Sequence, residues 1–470
     1  MIRKTKIITT IGPKTSSKKM LKLLIQKGAD VVRLNFSHFS HDKAQGVISS
    51  VKEINQELGT HTAILADLQG PKIRLGDFEK PIRLKKGDEI VFCTRNKKNS
   101  IYIDYKKFAK DVGPKDSVLV DDGKIGLEVV STNSKDTVAL RVVFGGVLSP
   151  RKGVNLPNTI ISLPSITKKD AIDLDFILSQ KIEWIGLSFV RKSKDIKDLK
   201  KIINKSGASH KVIAKIEKPE AIKNINSIIE FSDAIMVARG DLGVEVPPQK
   251  VPVYQKMIVN KCIAKATPVI IATQMLESMT ISPTSTRAEA NDVANSVIDG
   301  ADALMLSGET SVGKYPLKAI DTMRKIIRGI EASDHSISKN AAAREIQKDS
   351  RFLTSAICLN ATNIAEQSNA KAIITITYSG FNTIRVSSFR PHAFIYAFTN
   401  NHTILNTLSL VWGVQGFYYE GASTTSQTIK ETKEILKKHK CLRKGDLVIN
   451  IASMPARERG KTNMMKISKV

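Results

Sequence analysis

Eight short apolar runs, each closed by a polar or glycine-bearing turn and most followed by a helical stretch, constrain this chain more than any other feature. They are Lys6–Ile11, Val31–Phe36, Ala63–Leu68, Trp184–Val190, Lys211–Glu217, Ala234–Gly240, Pro268–Gln274 and Ala303–Ser307. Near-continuous runs of this kind, rich in Val and Ile, mark strands buried on both faces, as in a parallel sheet. Strand and helix alternating about eight times predict an α/β chain whose core is a (β/α)8 barrel. The intervening stretches carry helix punctuation. Ser16-Ser17 precede a helix over Lys18–Lys27, and Gly28 stands where a glycine stop belongs. Pro283 to Arg287 lead into a second helix over Ala288–Ile298, closed by Asp299-Gly300.

The cadence changes twice. Between Pro71 and about Leu163 the strand candidates are Ile82–Leu84, Glu89–Phe92, Ser117–Val120 and Val138–Phe144, separated by turns such as Lys86-Gly87-Asp88. This reads as a small β-barrel domain inserted after the third strand. Its entry and exit fall at the rim where barrel enzymes do their chemistry, so it is expected to act as a lid. From Ser333 to Arg351 the chain is polar and weakly patterned, a linker with some helix. Beyond it Ala372–Thr377, Phe394–Phe398, Val414–Tyr419 and Leu447–Ile451 read as strands, and Phe352–Glu366 and Thr424–Lys438 as helices. The expected division is residues 1–70 and 164–340 for the barrel, 71–163 for the insert and 345–470 for a C-terminal α/β domain. A length of 470 residues agrees with about three domains.

Lys and Arg number 73 against 45 Asp and Glu, a net charge of +28. Such a field favours anionic partners. The charge is spread along the chain, however, and runs such as Arg95-Asn96-Lys97-Lys98 are short. Without a basic tail or aromatic-interleaved block, it reads as a lysine-rich solvated surface, and nucleic acid is not expected. Cys93, Cys262, Cys358 and Cys441 lie far apart, which argues against a disulfide framework or zinc knuckle and for reduced thiols. No segment approaches the ~20 apolar residues of a membrane helix. The stretch Ile7–Gly12 is too short and too rich in Thr for a signal peptide. A cytoplasmic protein without a membrane partner is expected.

Placement of the polar residues carries the functional signal. The second run ends in Arg33, Asn35, Ser37 and His38, the third in Asp67, then Lys72 and Arg74. The fifth ends in Lys215 and Glu217, the sixth in Arg239, Gly240 and Asp241, the seventh in Thr273 and Gln274. Period-2 alternation puts Lys215 and Glu217 on one face. Alone, that tripeptide reads as a strand ion pair. With Asp241 ending the neighbouring strand, the two carboxylates make a reasonable Mg²⁺ site, and Lys215 supplies charge to a phosphoryl group. Met236 to Gly243 reads as a strand followed by a glycine-containing turn. Arg33, Arg74 and Lys152 are candidate phosphate contacts. Asn35, Ser37 and Asp67 offer oxygens for a cation or for a hydrogen-bond network. His38 and His41 read as surface residues, because no nucleophile arrangement recruits them.

Several blocks together strongly resemble pyruvate kinase: Arg33–His38, Asp67–Arg74, Lys152–Pro157, Ala214–Glu217, Met236–Glu245, Ala272–Met279, Thr286–Glu289, Ser307–Thr310 and Gly313–Pro316. The resemblance implies transfer of the phosphoryl group of phosphoenolpyruvate to ADP, giving pyruvate and ATP, by a homotetramer of the shorter, bacterial type. It implies that Arg33 contacts the transferring group and that Lys215 stabilises the transition state. Glu217 and Asp241 would hold Mg²⁺ (or Mn²⁺), with a further ion arriving on the nucleotide. Arg239, Gly240 and Asp241 would bind the substrate carboxylate through backbone N–H groups, and Thr273 would lie by the enolate face. Arg74, Lys152 and His38 fall to the nucleotide. A K⁺ site would use Asn35, Ser37, Asp67 and the carbonyl of Leu68.

Three departures from the family pattern stand out. Many members carry Glu where this chain has Lys72, so an ammonium is expected to replace K⁺ and make it dispensable. Thr284 and Ser285 stand where many relatives have Arg and Pro, before Thr286-Arg287. The effector-loop region, Thr377–Thr383, lacks the arginine often found directly after Ser-Gly, so sugar-phosphate activation is expected to be altered or lost. Two rivals fit parts of the pattern. Another barrel using Mg²⁺-enolate chemistry, such as an aldolase, has no need of Lys152 on a lid. A basic scaffold for nucleic acid would need clustered, salt-sensitive charge.

Overall fold

The computed structural model describes residues 3–157, 159–333, 346, 349–422, 424–454 and 462–470. The eight apolar runs form one closed parallel barrel: β1 (Lys6–Thr10), β2 (Val31–Asn35), β3 (Ala63–Asp67), β4 (Trp184–Leu187), β5 (Lys211–Ile216), β6 (Ala234–Ala238), β7 (Val269–Ala272) and β8 (Ala303–Leu306). Neighbours follow chain order, and β8 pairs with β1 to close the ring. Alternation sorts the side chains. Val32, Leu34, Ile64, Ala66, Val212 and Ala214 point outward against the helices. Ile8, Val31, Leu65, Trp184, Ile213, Met236, Ile270 and Met305 fill the interior. Continuing those inward rows toward the carboxyl ends brings Arg33, Asp67 and Lys215 above an apolar floor.

Helix Lys18–Lys27 begins where Ser17 Oγ accepts from the Met20 N–H and ends at Gly28, whose φ of 114° only glycine adopts cheaply. Helix Arg287–Ile298 is opened by a capping box between Thr286 and Glu289. Contrary to the expectation from sequence, Arg239 and Gly240 are not strand and turn but the first residues of a short helix, Arg239–Glu245. The amide donors at that point therefore belong to a helix start.

The insert leaves the barrel after β3. Its seven-stranded sheet runs, in spatial order, 73–74, 153–155, 117–120, 125–132, 137–144, 89–93 and 101–102. A bridge between Leu75 and Ile103 joins the two outer strands and brings the sheet round on itself. The pair 82–84 and 146–148 lies apart. The C-terminal sheet has Val414–Tyr418, Phe394–Thr399, Ala372–Ile376 and Leu447–Ala452 in parallel, and Met464–Lys469 antiparallel at its edge. Helix Phe381–Ser388 and strand Met464–Lys469 have no counterpart in the sequence reading. Most of the linker expected over Ser333–Arg351 lies outside the described residues. Leu410 of the C-terminal part plugs the interior cluster from the amino end of the barrel. Arg390 donates to Asp302 and to the Gly300 carbonyl at the same end. Among the described residues no helix is long and apolar enough to cross a membrane.

Candidate active site

Lys215 is the centre of the rim. It is only 8% exposed, and its Nζ lies 3.0 Å from Glu217 Oε1, 3.2 Å from Asp67 Oδ1 and 2.8 Å from Ser188 Oγ. Burial works against the ammonium, but Asp67 and Glu217 outweigh it and hold the pKa above that of a free lysine. Lys215 is thus a fixed cation in a water-poor site.

Asp67 answers it from β3. Arg33 of β2 donates Nε–H to Asp67 Oδ2 at 2.8 Å and reaches the same oxygen through Nη2 at 2.5 Å, while Nη1 donates to Thr10 Oγ1. Burial alone would raise the Asp67 carboxyl; Lys215 and Arg33 reverse the sign and hold it below the ordinary range. The arrangement depends on Gly186, which faces Asp67 in the β3–β4 register. A Cβ there would lie 2.8 Å from Asp67 Oδ1.

Glu217 is 1% exposed and accepts from the Phe189 N–H at 2.7 Å. Burial pushes its carboxyl up, Lys215 pulls it down, Asp241 pushes it up again, and the net is upward. Asp241 stands in the first turn of helix Arg239–Glu245, after β6, which neighbours β5. Asp241 disfavours the charge on Glu217, and a divalent cation relieves that conflict, so this donor set fits Mg²⁺ or Mn²⁺. It is a pair, and among the described residues no group of three or more His, Cys, Asp or Glu side chains gathers as a metal cluster.

Thr273 follows β7 with φ 68°, and Gln274 with φ 54°. A β-branched residue in the left-handed region is strained, and such strain collects at functional turns. Thr273 Oγ1 accepts from the Gly240 N–H at 2.7 Å and donates to the Ala272 carbonyl. Arg239 does not present its guanidinium to the rim. It donates to both oxygens of Asp292 and to the Thr273 carbonyl, bracing the strained turn.

Asn35 and Ser37 lie together, with the Ser37 N–H on Asn35 Oδ1, and Asn35 faces Asp67 in register. The Leu68 carbonyl accepts from Ser188 Oγ at 2.7 Å. Asp67 Oδ1, buried and without a hydrogen bond, is the oxygen left for a cation, and Lys215 already stands beside it. Arg74 lies on lid strand 73–74 and Lys152 directly before its neighbour 153–155, brought together by the Gly153–Arg74 pairing, and Lys152 meets Asp121 at 2.8 Å. His38 faces the same place: shielding of its ring, then Arg74, Lys72, Arg33 and Lys169, push the imidazole below its usual pKa. This cationic corner suits polyanionic phosphates.

Sequence reasoning missed Ser188 and Phe189. Both directly follow β4, and Phe189 bends with φ 53° to aim its N–H at Glu217. It also missed Lys218 and Glu245, a buried ion pair at 2.7 Å.

The comparisons with known proteins agree with one another. The family model described as pyruvate kinase, barrel domain, matches residues 2–320, and that described as pyruvate kinase, alpha/beta domain, matches residues 355–468. Pyruvate kinase 2 of Synechocystis sp. is 42% identical, covering 100% of this chain and 79% of that protein. Pyruvate kinase of Staphylococcus aureus is 40% identical over 99% of this chain and 80% of its own. A crystal structure of a pyruvate kinase from Cryptosporidium parvum superposes with a TM-score of 0.94 at 35% identity, over 99% of this chain and 96% of that one.

Proposed function

Because this chain belongs to the pyruvate kinase family and so transfers the phosphoryl group of phosphoenolpyruvate to ADP, giving pyruvate and ATP, we propose that the transfer takes place over Lys215 and that the rim residues divide the work as follows. The observation that carries this is the buried ammonium of Lys215, 3.0 Å from Glu217 and 3.2 Å from Asp67.

Phosphoryl transfer asks for positioning and electrostatic stabilisation rather than covalent help. Lys215 faces the three phosphoryl oxygens as charge spreads over them. Arg33, held in plane by Asp67 and Thr10, contacts the same group from β2. The helix start at Arg239, Gly240 and Asp241 offers backbone N–H groups to the substrate carboxylate, that of Gly240 by exchanging its bond to Thr273 Oγ1. Thr273, fixed in its strained turn, places a hydroxyl where a proton must reach the enolate carbon. Arg74, Lys152 and His38 take the nucleotide phosphates, Lys152 from the lid. The lid excludes the water that would otherwise capture the phosphoryl group.

Glu217 and Asp241 would hold one Mg²⁺ or Mn²⁺, which when bound supplies charge at the substrate carboxylate and enolate oxygens. Asn35, Ser37, Asp67 and the Leu68 carbonyl form the counterpart site for a monovalent cation, with Lys72 in a position to make that ion dispensable. We place the enzyme in the cytosol, which suits its four free thiols. We also read it as a homotetramer; mass measurement in solution checks this, and a stable monomer contradicts it.

The test is a coupled pyruvate-formation assay on wild type and Lys215→Met. Removing a buried transition-state donor is expected to lower kcat by at least about 10³-fold, with phosphoenolpyruvate binding retained. Pyruvate formation that does not need ADP would favour the aldolase-like rival. A variant within about tenfold of wild type would remove Lys215 from the role.

A further inference from the structure

Three residues that no step above uses meet between the lid and the barrel. Lys218 follows Glu217 directly, and its ammonium donates to Glu245 Oε1 at 2.7 Å. Both side chains are buried. Glu245 closes the helix whose first turn carries Asp241. Asn155 ends the lid strand Gly153–Asn155 and donates from Nδ2 to the same Glu245 Oε1 at 2.9 Å. Glu245 Oε2 is buried without a hydrogen bond, beside a cleft of about 20 Å³ bordered by Lys72, Asn155, Phe189 and Lys218.

The geometry points to Asn155 as a positioning residue: its bond to the Lys218–Glu245 pair fixes the lid strand that Lys152 directly precedes against the two rim elements that carry Glu217 and Asp241. The inference rests on the reading of Lys152 as a nucleotide contact. Its logic is one of registration. The strand is short and stiff, and Lys152 is three residues from Asn155. Gly153 pairs with Arg74 and Val154 with Ile73, so a shift at Asn155 moves both nucleotide-facing cations together. At the other end the anchor cannot drift. Glu245 is neutralised by one buried cation, and Lys218 is covalently next to the metal-binding carboxylate. A buried ion pair of this kind is a weak source of stability but a good fixed point, because a displaced partner leaves an uncompensated charge. In-line transfer between two bound substrates is where such registration matters, since misplacement by about 1 Å costs on the order of 10²-fold.

Asn155→Asp sets a carboxylate against Glu245. It is expected to raise KM for ADP and lower kcat, each by about tenfold, with KM for phosphoenolpyruvate changed by less than about twofold. Asn155→Asp combined with Glu245→Gln restores one donor and one acceptor with the polarity reversed and keeps the net charge of the trio. It is expected to return both parameters to within about threefold of wild type. Melting curves accompany each variant, and Asn155→Ala replaces Asn155→Asp should the latter fail to fold. Unchanged ADP kinetics in the Asn155 single variant, equal loss for both substrates, or failure of the double variant to recover would each overturn the proposal. Lys152→Ala separates the two levels. Unchanged KM for ADP there removes the nucleotide reading itself, whereas impairment there with an intact Asn155→Asp removes only the registration role.

Discussion

Lys72 is a single residue with a consequence for how the enzyme is assayed. It lies in the loop after β3, half-buried; its backbone N–H donates to the Gly70 carbonyl, and its ammonium makes no hydrogen bond or ion pair with the described residues. Its ammonium bears electrostatically on His38, together with Arg74 and Arg33, so it adds to the rim's positive charge. Asp67, the acidic member of the donor set proposed for a monovalent cation, is already answered by Arg33 and Lys215. Two protein cations satisfy the carboxylate, and a third supplies charge nearby, which leaves little for K⁺ to do. The expected outcome is an initial rate that changes by less than about twofold among Na⁺-, K⁺- and tetramethylammonium-only buffers, because fixed charge replaces a mobile ion. A large K⁺ stimulation would refute it.

At the scale of elements, β4 contributes at both ends. Its carboxyl end brings Ser188 to Lys215, and the residue before its amino end, Glu183, ties the barrel to the C-terminal part. Glu183 accepts from the Ile64 N–H and from Asn406 Nδ2, each at 2.8 Å. Burial, only partly offset by these bonds and by Lys52, raises its carboxyl above the ordinary value. A carboxyl raised on folding costs stability as pH climbs from its unfolded pKa through its folded one, because folding disfavours the ionised form. Glu183→Gln keeps an acceptor and removes that cost. Its melting temperature should exceed that of wild type by a margin that grows as pH rises above the ordinary carboxylate range; a margin that stays constant or turns negative there would contradict the account. The same elements show what a sequence makes legible. All eight barrel strands stood out because burial on both faces demands unbroken apolar runs, and Lys215 with Glu217 stood out because period 2 is rigid. Strands 73–74, 101–102 and 153–155 were too short to show a period, and Gly146–Leu148 begins on a glycine. Helix Phe381–Ser388 reads Phe-Asn-Thr-Ile-Arg-Val-Ser-Ser, with β-branched and hydroxyl residues that resist helix and hide its buried face. Asn155, Lys218 and Glu245 could not be paired from sequence, since only the lid's placement brings them together.

For the whole molecule, the question is how a ligand far from Lys215 would be felt there. The C-terminal part holds a cavity of about 610 Å³ lined by Arg351, Thr377, Tyr378, Ser379, Asn382 and Glu420 among others. Helix Phe381–Ser388 starts at this cavity, and Arg390, two residues past its end, enters the barrel's amino end to pair with Asp302. The Trp412 ring covers that guanidinium at 5.0 Å, and the Trp412 backbone N–H donates to Asp302 as well. Asp302 in turn accepts from the Val269 N–H at the start of β7, the strand that ends at Thr273. A contiguous set of contacts therefore runs from cavity to rim, and what decides its use is affinity at the cavity. There Phe381 takes the place directly after Ser379-Gly380. Its ring lies 4.4 Å from the Arg351 guanidinium, and Arg385 is committed to Asp349. Among the described lining residues Arg351 is the cation and Glu420 opposes it. Phosphate groups need charge-assisted donors that are not already engaged. Isothermal titration with fructose 1,6-bisphosphate, ribose 5-phosphate and AMP is therefore expected to give no binding tighter than about 1 mM, a free energy of only about −4 kcal/mol. Micromolar binding of any of the three would show that the path has a working input despite the lost arginine.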